Sequence, residues 1–179
     1  MYLQPGRMCM FHAPKGAYNL GHVGWAFSIT GTSQWICGST EEVDTGTILV
    51  PPGPMSNDES WYKIGTFAEC RAAFGRQMTV NGKVYHDAGY YETYKCITTK
   101  WSHVSDAWNT AQIMLTSGFA ALGNNCLWKA VMIMSHYDPT WVAPYIDDGA
   151  TDPPTLYYDA LIGFEGAQSV CTAPQPACV

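Results

Sequence analysis

The sequence has little charge and no segment that is both long and apolar. Charged residues make up 13% of the 179 residues, which is about half of the usual share. No apolar run approaches the roughly 20 residues that a membrane-spanning helix needs. Lys and Arg total 9 against 15 Asp and Glu, a net charge of −6 that would repel phosphates. We therefore expect no nucleic-acid partner and no membrane-spanning segment.

Several motifs that would identify a function are also missing. The sequence has no Cys-x-x-Cys pair, so we expect no zinc ribbon and no thioredoxin-like site. It has no glycine-rich phosphate loop and no Gly-x-Ser-x-Gly elbow. Residues 147–152 combine acidic side chains with a glycine, but they lack the spacing of an EF-hand. We interpret them as an ordinary acidic loop and expect neither a metal nor a cofactor.

Cysteine and tryptophan are abundant for a chain of this length, with 7 of each. Together with the low charge, this is typical of a secreted or surface-associated protein, yet residues 1–10 lack the pattern of a secretory signal. The compartment therefore stays open. Full pairing of seven cysteines gives three disulfides and one free thiol, and Cys171 with Cys178 is the pair that is easiest to imagine.

The pattern of the chain predicts one α+β domain over residues 1–179. Hydrophobic residues make up 47% of the chain and aromatics 13%, so disorder is not expected. Strand and helix patterns are grouped and do not alternate strictly, which favours an antiparallel sheet with helices packed on it. The predicted segments are an irregular lead-in (1–20), strands (22–29, 34–40, 43–50, 90–99), a hairpin at Asn81-Gly82, helices (60–75, 105–117 and one from Cys126 on) and a loop-rich C-terminal extension (137–179) with a strand at 156–164.

Cys126 is the first candidate for chemistry, because it opens a predicted helix directly after Asn124 and Asn125. An Asn is well placed to cap such a helix. A thiol at a helix N-terminus meets unpaired N–H groups and the positive end of the dipole, which favour the nucleophilic thiolate. The alternative is a small buried hydrophobe or half of a disulfide.

His22 is the natural partner for this thiol. It stands at the start of an alternating apolar strand, between Gly21 and Val23, with Gly24 two residues on. Glycines in a strand cost stability, which indicates that space is needed there. The alternative is a structural histidine whose ring is satisfied by its neighbours.

The segments Gly21-His22-Val23-Gly24-Trp25-Ala26-Phe27 and Asn124-Asn125-Cys126 together resemble the circularly permuted branch of the papain-like NlpC/P60 superfamily, which includes the lecithin retinol acyltransferase-like proteins. The resemblance covers roughly residues 20–135 in the order of elements. It implies a papain-like fold with Cys126 as nucleophile and His22 as base and later acid. It also implies substrate contacts from Gly24, Trp25 and Asn125.

The third catalytic residue does not transfer from this family. Many permuted members have a second His near the end of the next strand, whereas this chain has Ser39-Thr40-Glu41-Glu42 there. We expect Glu41 to orient His22, with Glu42 and Ser39 as alternatives, because one residue of register decides which side chain shares its face.

The resemblance leads to the hypothesis of a cysteine hydrolase that cleaves an amide or peptide bond, with a peptide or a peptidoglycan-like stem peptide as substrate. An acyltransferase or thioesterase on the same fold is one alternative. A non-catalytic, disulfide-stabilised binding or structural module is the other.

Overall fold

The fold is a six-stranded antiparallel open sheet with helices packed on it, in an α+β arrangement. It is seen in a computed structural model that describes residues 4–15, 21–40, 60–75, 79–80, 83–84, 91–117, 125–143 and 154–171. Within these ranges the strands are β1 (Arg7–Ala13), β2 (His22–Ser28), β3 (Gln34–Ser39), β4 (Trp61–Thr66), β5 (Thr79–Val80), β6 (Lys83–Val84), β7 (Thr93–Thr98) and β8 (Gln168–Ser169). The helices are α1 (Phe67–Phe74), α2 (Val104–Thr116), α3 (Cys126–Tyr137) and α4 (Pro154–Asp159).

The strand order in the main sheet is β4-β3-β2-β1-β7-β8, and β5 pairs with β6 as a separate hairpin. The hairpin between β2 and β3 turns at Gly31, where φ is +78°. This conformation favours glycine because it has no Cβ. The predicted hairpin around Gly31 and the pairing on either side of Asn81-Gly82 are thereby confirmed.

The prediction of an irregular lead-in over residues 1–20 is wrong for residues 7–13. They form β1, an interior strand that pairs with both β2 and β7. Six of its seven residues are buried, so the strand lacks the apolar–polar alternation of a half-exposed strand. The strand is covered on both faces, because Met8 and Met10 point into one core and Cys9 and Phe11 into the other.

Two cores cover the two faces of the sheet. The first, here called the α3-side core, joins Met8 and Met10 of β1, alternate residues of β2, and the inner faces of α2, α3 and α4. The second, here called the α1-side core, joins Cys9, Phe11 and Ala13 of β1 to α1 and β7. Alternate residues of one strand point to opposite faces, so β1 and β2 serve both cores.

A disulfide joins Cys9 of β1 to Cys96 of β7 within the α1-side core. The two residues are directly opposite in the antiparallel register, with Cα atoms 4.1 Å apart. Cys171 is also disulfide-bonded, while Cys178 lies outside the described residues. Cys37, Cys70 and Cys126 are free and buried.

For the remaining elements, the predicted boundaries differ from the observed ones, and in two segments the predicted type differs as well. The capping box of Thr66 and Glu69 is confirmed, but it opens a helix that begins only at Phe67. Residues 61–66 form a strand instead of a helix, because they pair with β3 along its whole length. Residues 154–159 are helical, where the sequence predicts a strand from 156. The predicted strand over 43–50 lies outside the described residues.

No helix among the described residues combines the length and apolarity needed to span a bilayer.

Candidate active site

Cys126 is the first residue of α3, and its side chain is 3% exposed. Asn125 caps the helix, since its Oδ1 accepts a hydrogen bond from the backbone N–H of Trp128 at 3.0 Å. The predicted helix start and cap are confirmed. The sequence therefore positions the sulfur at the positive end of a twelve-residue helix.

The imidazole of His22 lies within hydrogen-bonding reach of the Cys126 sulfur. Burial by itself would raise the pKa of the thiol. The charge of His22, a hydrogen bond from the same ring and the backbone amides of Val23 and Leu127 outweigh burial, so the pKa of Cys126 lies below its ordinary value. These groups favour a thiolate–imidazolium pair.

Ser39 is the residue that contacts the other side of the His22 ring. Its Oγ lies 3.0 Å from His22 Nε2, and the hydroxyl of Tyr91 donates a 2.7 Å hydrogen bond to the same Oγ. The resulting chain of contacts runs from Tyr91 through Ser39 to His22. Ser39 was the alternative to Glu41, and both Glu41 and Glu42 lie outside the described residues.

The register of β2 and β3 explains how Ser39 reaches the imidazole. Trp25 pairs with Gly38, so Ser39 stands opposite Gly24, two residues from His22 and on the same face. Ser39 is therefore a diagonal neighbour of His22 on the adjacent strand, and the contact between Nε2 and Oγ spans this diagonal. Aromatic rings hold this arrangement from the side, since Tyr91 packs edge-on against both His22 and Phe74.

The three expected substrate contacts occupy packing or capping positions. Trp25 is fully buried in the α3-side core. A Cβ on Gly24 would meet the ring of Phe74, whose Cζ would be 2.9 Å away. The side chain of Asn125 is engaged in the helix cap. Gly24 and Trp25 thus lie in packed positions, and the substrate contacts that the resemblance implies for these residues stay a prediction.

Helix α4 packs beside the start of β2. Gly21 has φ +93°, and a Cβ there would collide with Thr155. Thr155 Oγ1 lies 3.0 Å from Nε2 of His12, and the His12 ring stacks on Tyr158 with centroids 4.5 Å apart. Burial lowers the pKa of His12. The segment expected to be a loop-rich extension therefore contributes a helix that covers the neighbourhood of His22.

Lys129 is a residue of this region that the sequence analysis missed. It lies on α3 three residues after Cys126, its side chain is fully buried, and its Nζ donates a 3.0 Å hydrogen bond to the carbonyl of Met114. Burial lowers the pKa of Lys129 to about 8, while the Cys126 thiolate acts in the opposite direction. A lysine at a helix position gives no sequence signal of burial, because lysine side chains are mostly exposed.

The described ranges contain no group of three or more His, Cys, Asp or Glu side chains placed to hold a metal ion. The site thus combines a buried thiol–imidazole pair, the hydroxyl groups of Ser39 and Tyr91 at the imidazole, and a buried lysine three residues after the thiol on the same helix. Comparison with family models, with curated proteins and with solved structures finds no match to this chain.

Proposed function

We propose that the protein is a cysteine hydrolase of the papain-like type that cleaves an amide bond through an acyl-enzyme. The observation that carries this proposal is the contact between Cys126 and His22, in which the pKa of the thiol is lowered although the sulfur is buried. Most buried cysteines experience the opposite effect, because burial penalises the thiolate. The order of a His-x-Gly strand followed by an Asn-Cys helix start, which resembles the permuted NlpC/P60 branch, supports the same proposal.

In the proposed reaction the Cys126 thiolate attacks the carbonyl carbon of the amide, and a C–S bond forms. The imidazolium of His22 gives its proton to the leaving nitrogen as the C–N bond breaks, which leaves a thioester on Cys126. His22, now neutral, takes a proton from water as the water attacks the thioester. The carboxylic acid leaves, and the thiolate–imidazolium pair is restored.

Ser39 and Tyr91 have a positioning role in this proposal. Nε2 of His22 is engaged by Ser39, so Nδ1 is the ring nitrogen left to face the sulfur. A hydroxyl is a neutral partner, and it holds the ring in one orientation without adding the negative charge of a carboxylate. Tyr91 in turn fixes Ser39 by donating to its oxygen.

A peptide or a peptidoglycan-like stem peptide is the substrate class that we propose. An acyltransferase or thioesterase would use the same thioester and differ only in the group that accepts or carries the acyl chain.

The second candidate is a non-catalytic, disulfide-stabilised module. The observation in its favour is that Cys126 and His22 are only 3% and 5% exposed, in a fold whose sheet is crosslinked by Cys9–Cys96. In such a module the thiol of Cys126 and the imidazole of His22 would be structural groups of the core, with hydrogen bonds made inside the protein.

Alkylation of the folded, non-reduced protein by iodoacetamide separates the two candidates. We expect selective labelling of Cys126 near neutral pH, and much slower labelling in His22→Ala. Cys37 and Cys70 are controls within the same chain, because they are buried free thiols and no imidazole is among the groups that shift their pKa values. Burial raises the pKa of Cys37, whereas the hydrogen bond with Cys37 lowers the pKa of Cys70, so Cys37 is the stricter control. Labelling of all three thiols at one rate, or of none before unfolding, would support the non-catalytic module.

Hydrolysis is then tested on a library of short peptides and muropeptide-like stem peptides. The proposal requires release of an amine end, trapping of an acyl group on Cys126 by mass spectrometry, and loss of both in Cys126→Ala. Transfer of the acyl group to an added amine or alcohol in preference to water would favour the acyltransferase.

A further inference from the structure

The buried ammonium of Lys129 lies next to the proposed nucleophile. Residues three apart on a helix lie on the same face, with Cβ atoms about 5–6 Å apart. The side chain of Lys129 has no exposed surface, which is rare for lysine because removing an ammonium from water is costly. A group held at such a cost calls for a compensating interaction.

The carbonyl of Met114 provides one part of this compensation. Met114 lies in the last turn of α2, which ends at Thr116, and its oxygen accepts the 3.0 Å hydrogen bond from Lys129 Nζ. The C-terminal carbonyls of a helix carry the negative end of its dipole, so they attract a cation. Lys129 thereby joins the end of α2 to the first turn of α3, from which Cys126 projects.

We propose that Lys129 is a positioning residue that favours the thiolate of Cys126 through the electrostatic attraction between ammonium and sulfur. This inference rests on the proposed function. The Cys126 thiolate raises the pKa of Lys129, and because Coulombic attraction is mutual we expect the ammonium to favour the thiolate in turn.

Other titratable groups also bear on this pair. Across the sheet, His22 of β2 contacts the sulfur directly. His12 of β1 interacts electrostatically with His22. Helix α2 contributes the carbonyl of Met114. His22 and Lys129 thus stand on different elements, β2 and α3, so their effects on the titration of Cys126 can be separated by substitution.

A structural role through the Met114 carbonyl would need a hydrogen-bond donor at this position and no charge. Lys129→Gln keeps an amide donor and removes the charge, whereas Lys129→Arg keeps the charge. Lys129→Met removes both. Lys95→Met is a matched control, because Lys95 also donates to a helix carbonyl, that of Tyr158 at 2.9 Å, but stands on β7 and not on the helix that carries Cys126.

The experiment is the rate of Cys126 alkylation by iodoacetamide as a function of pH, with the melting temperature of each variant measured in parallel. We expect the midpoint to rise by about one pH unit in Lys129→Gln and Lys129→Met, which slows alkylation about tenfold below both midpoints. Lys129→Arg and Lys95→Met should retain the wild-type midpoint.

An unshifted midpoint in a folded Lys129→Gln would overturn the inference, as would an equal shift in Lys129→Arg. If both neutral variants fail to fold while Lys129→Arg folds, the charge has a structural role and the inference is again wrong. Failure of the proposed function is a different result, namely that Cys126 of the wild-type protein is unreactive near neutral pH.

Discussion

Removal of the Cys9–Cys96 disulfide should be the most destabilising change outside the site. The two cysteines are separated by 87 residues, so the bond closes a long loop in the unfolded chain. The chain-entropy relation gives a contribution of about 4–5 kcal/mol at 25 °C for such a loop. We expect Cys9→Ala/Cys96→Ala to lose about this much free energy of unfolding, measured by urea denaturation in the absence of reductant.

The double substitution also removes two sulfur atoms from the α1-side core, and this contribution must be subtracted. Cys37→Ala/Cys70→Ala is the matched control, because both residues are fully buried in the same core and carry free thiols. The difference between the two double variants measures the crosslink. A difference below about 1 kcal/mol would refute the entropic reasoning, and a free Cys9 or Cys96 thiol in the non-reduced wild-type protein would refute the pairing itself.

Three further substitutions test the surroundings of the proposed dyad. Ser39→Ala removes the hydroxyl from the imidazolium of His22, so hydrolysis should fall roughly ten- to hundredfold, as expected for a bond of about 1.5–3 kcal/mol to a charged group; unchanged rates would exclude a positioning role. Gly24→Ala places a methyl group against Phe74, so the free energy of unfolding, measured by urea denaturation, should fall by about 1–3 kcal/mol. An unchanged urea midpoint would show that the ring of Phe74 can move away. Asn125→Ala removes the cap of α3 at a cost of about 1 kcal/mol, and Asn125→Asp should restore most of it; equal midpoints for the two would contradict the cap.

Local signals in the sequence predict the elements that carry the proposed nucleophile and base. Asn125 before an apolar helical segment marks the start of α3, and the alternation of Val23, Trp25 and Phe27 marks the buried face of β2. Both signals arise from short-range geometry: a cap bonds within three residues, and a strand alternates with a period of two. The α+β class follows from the grouping of such segments.

The elements that the sequence misses depend on long-range packing. Strand β1 is buried on both faces, so it has no alternation to read. Residues 61–66 include strand-favouring Trp, Tyr, Ile and Thr side chains, but they run directly into the helical pattern of residues 66–74, and the pairing with β3 makes them β4. The burial of Lys129 depends on where α2 ends, which no local pattern around residue 129 reveals.

The partner of His22 shows how register limits prediction. A hairpin that turns at Gly31 brings the segment Ser39–Glu42 opposite His22. The sequence does not show which side chain of this segment contacts the imidazole, because a shift of one residue in register moves every side chain to the other face. The contact with Ser39 follows from the register that makes it a diagonal neighbour of His22, and from Tyr91, which donates to its hydroxyl from a distant part of the chain. Both are tertiary effects.

The pH titration of the thiolate of Cys126, followed by its ultraviolet absorbance in the wild-type protein minus Cys126→Ala, tests the central claim most directly. The lowered pKa of Cys126 means that the thiolate should persist below the ordinary thiol midpoint of about 8.5. The midpoint should rise in His22→Ala, since the imidazolium favours the thiolate. A wild-type midpoint at or above the ordinary value, or one that His22→Ala leaves unchanged, would contradict the account.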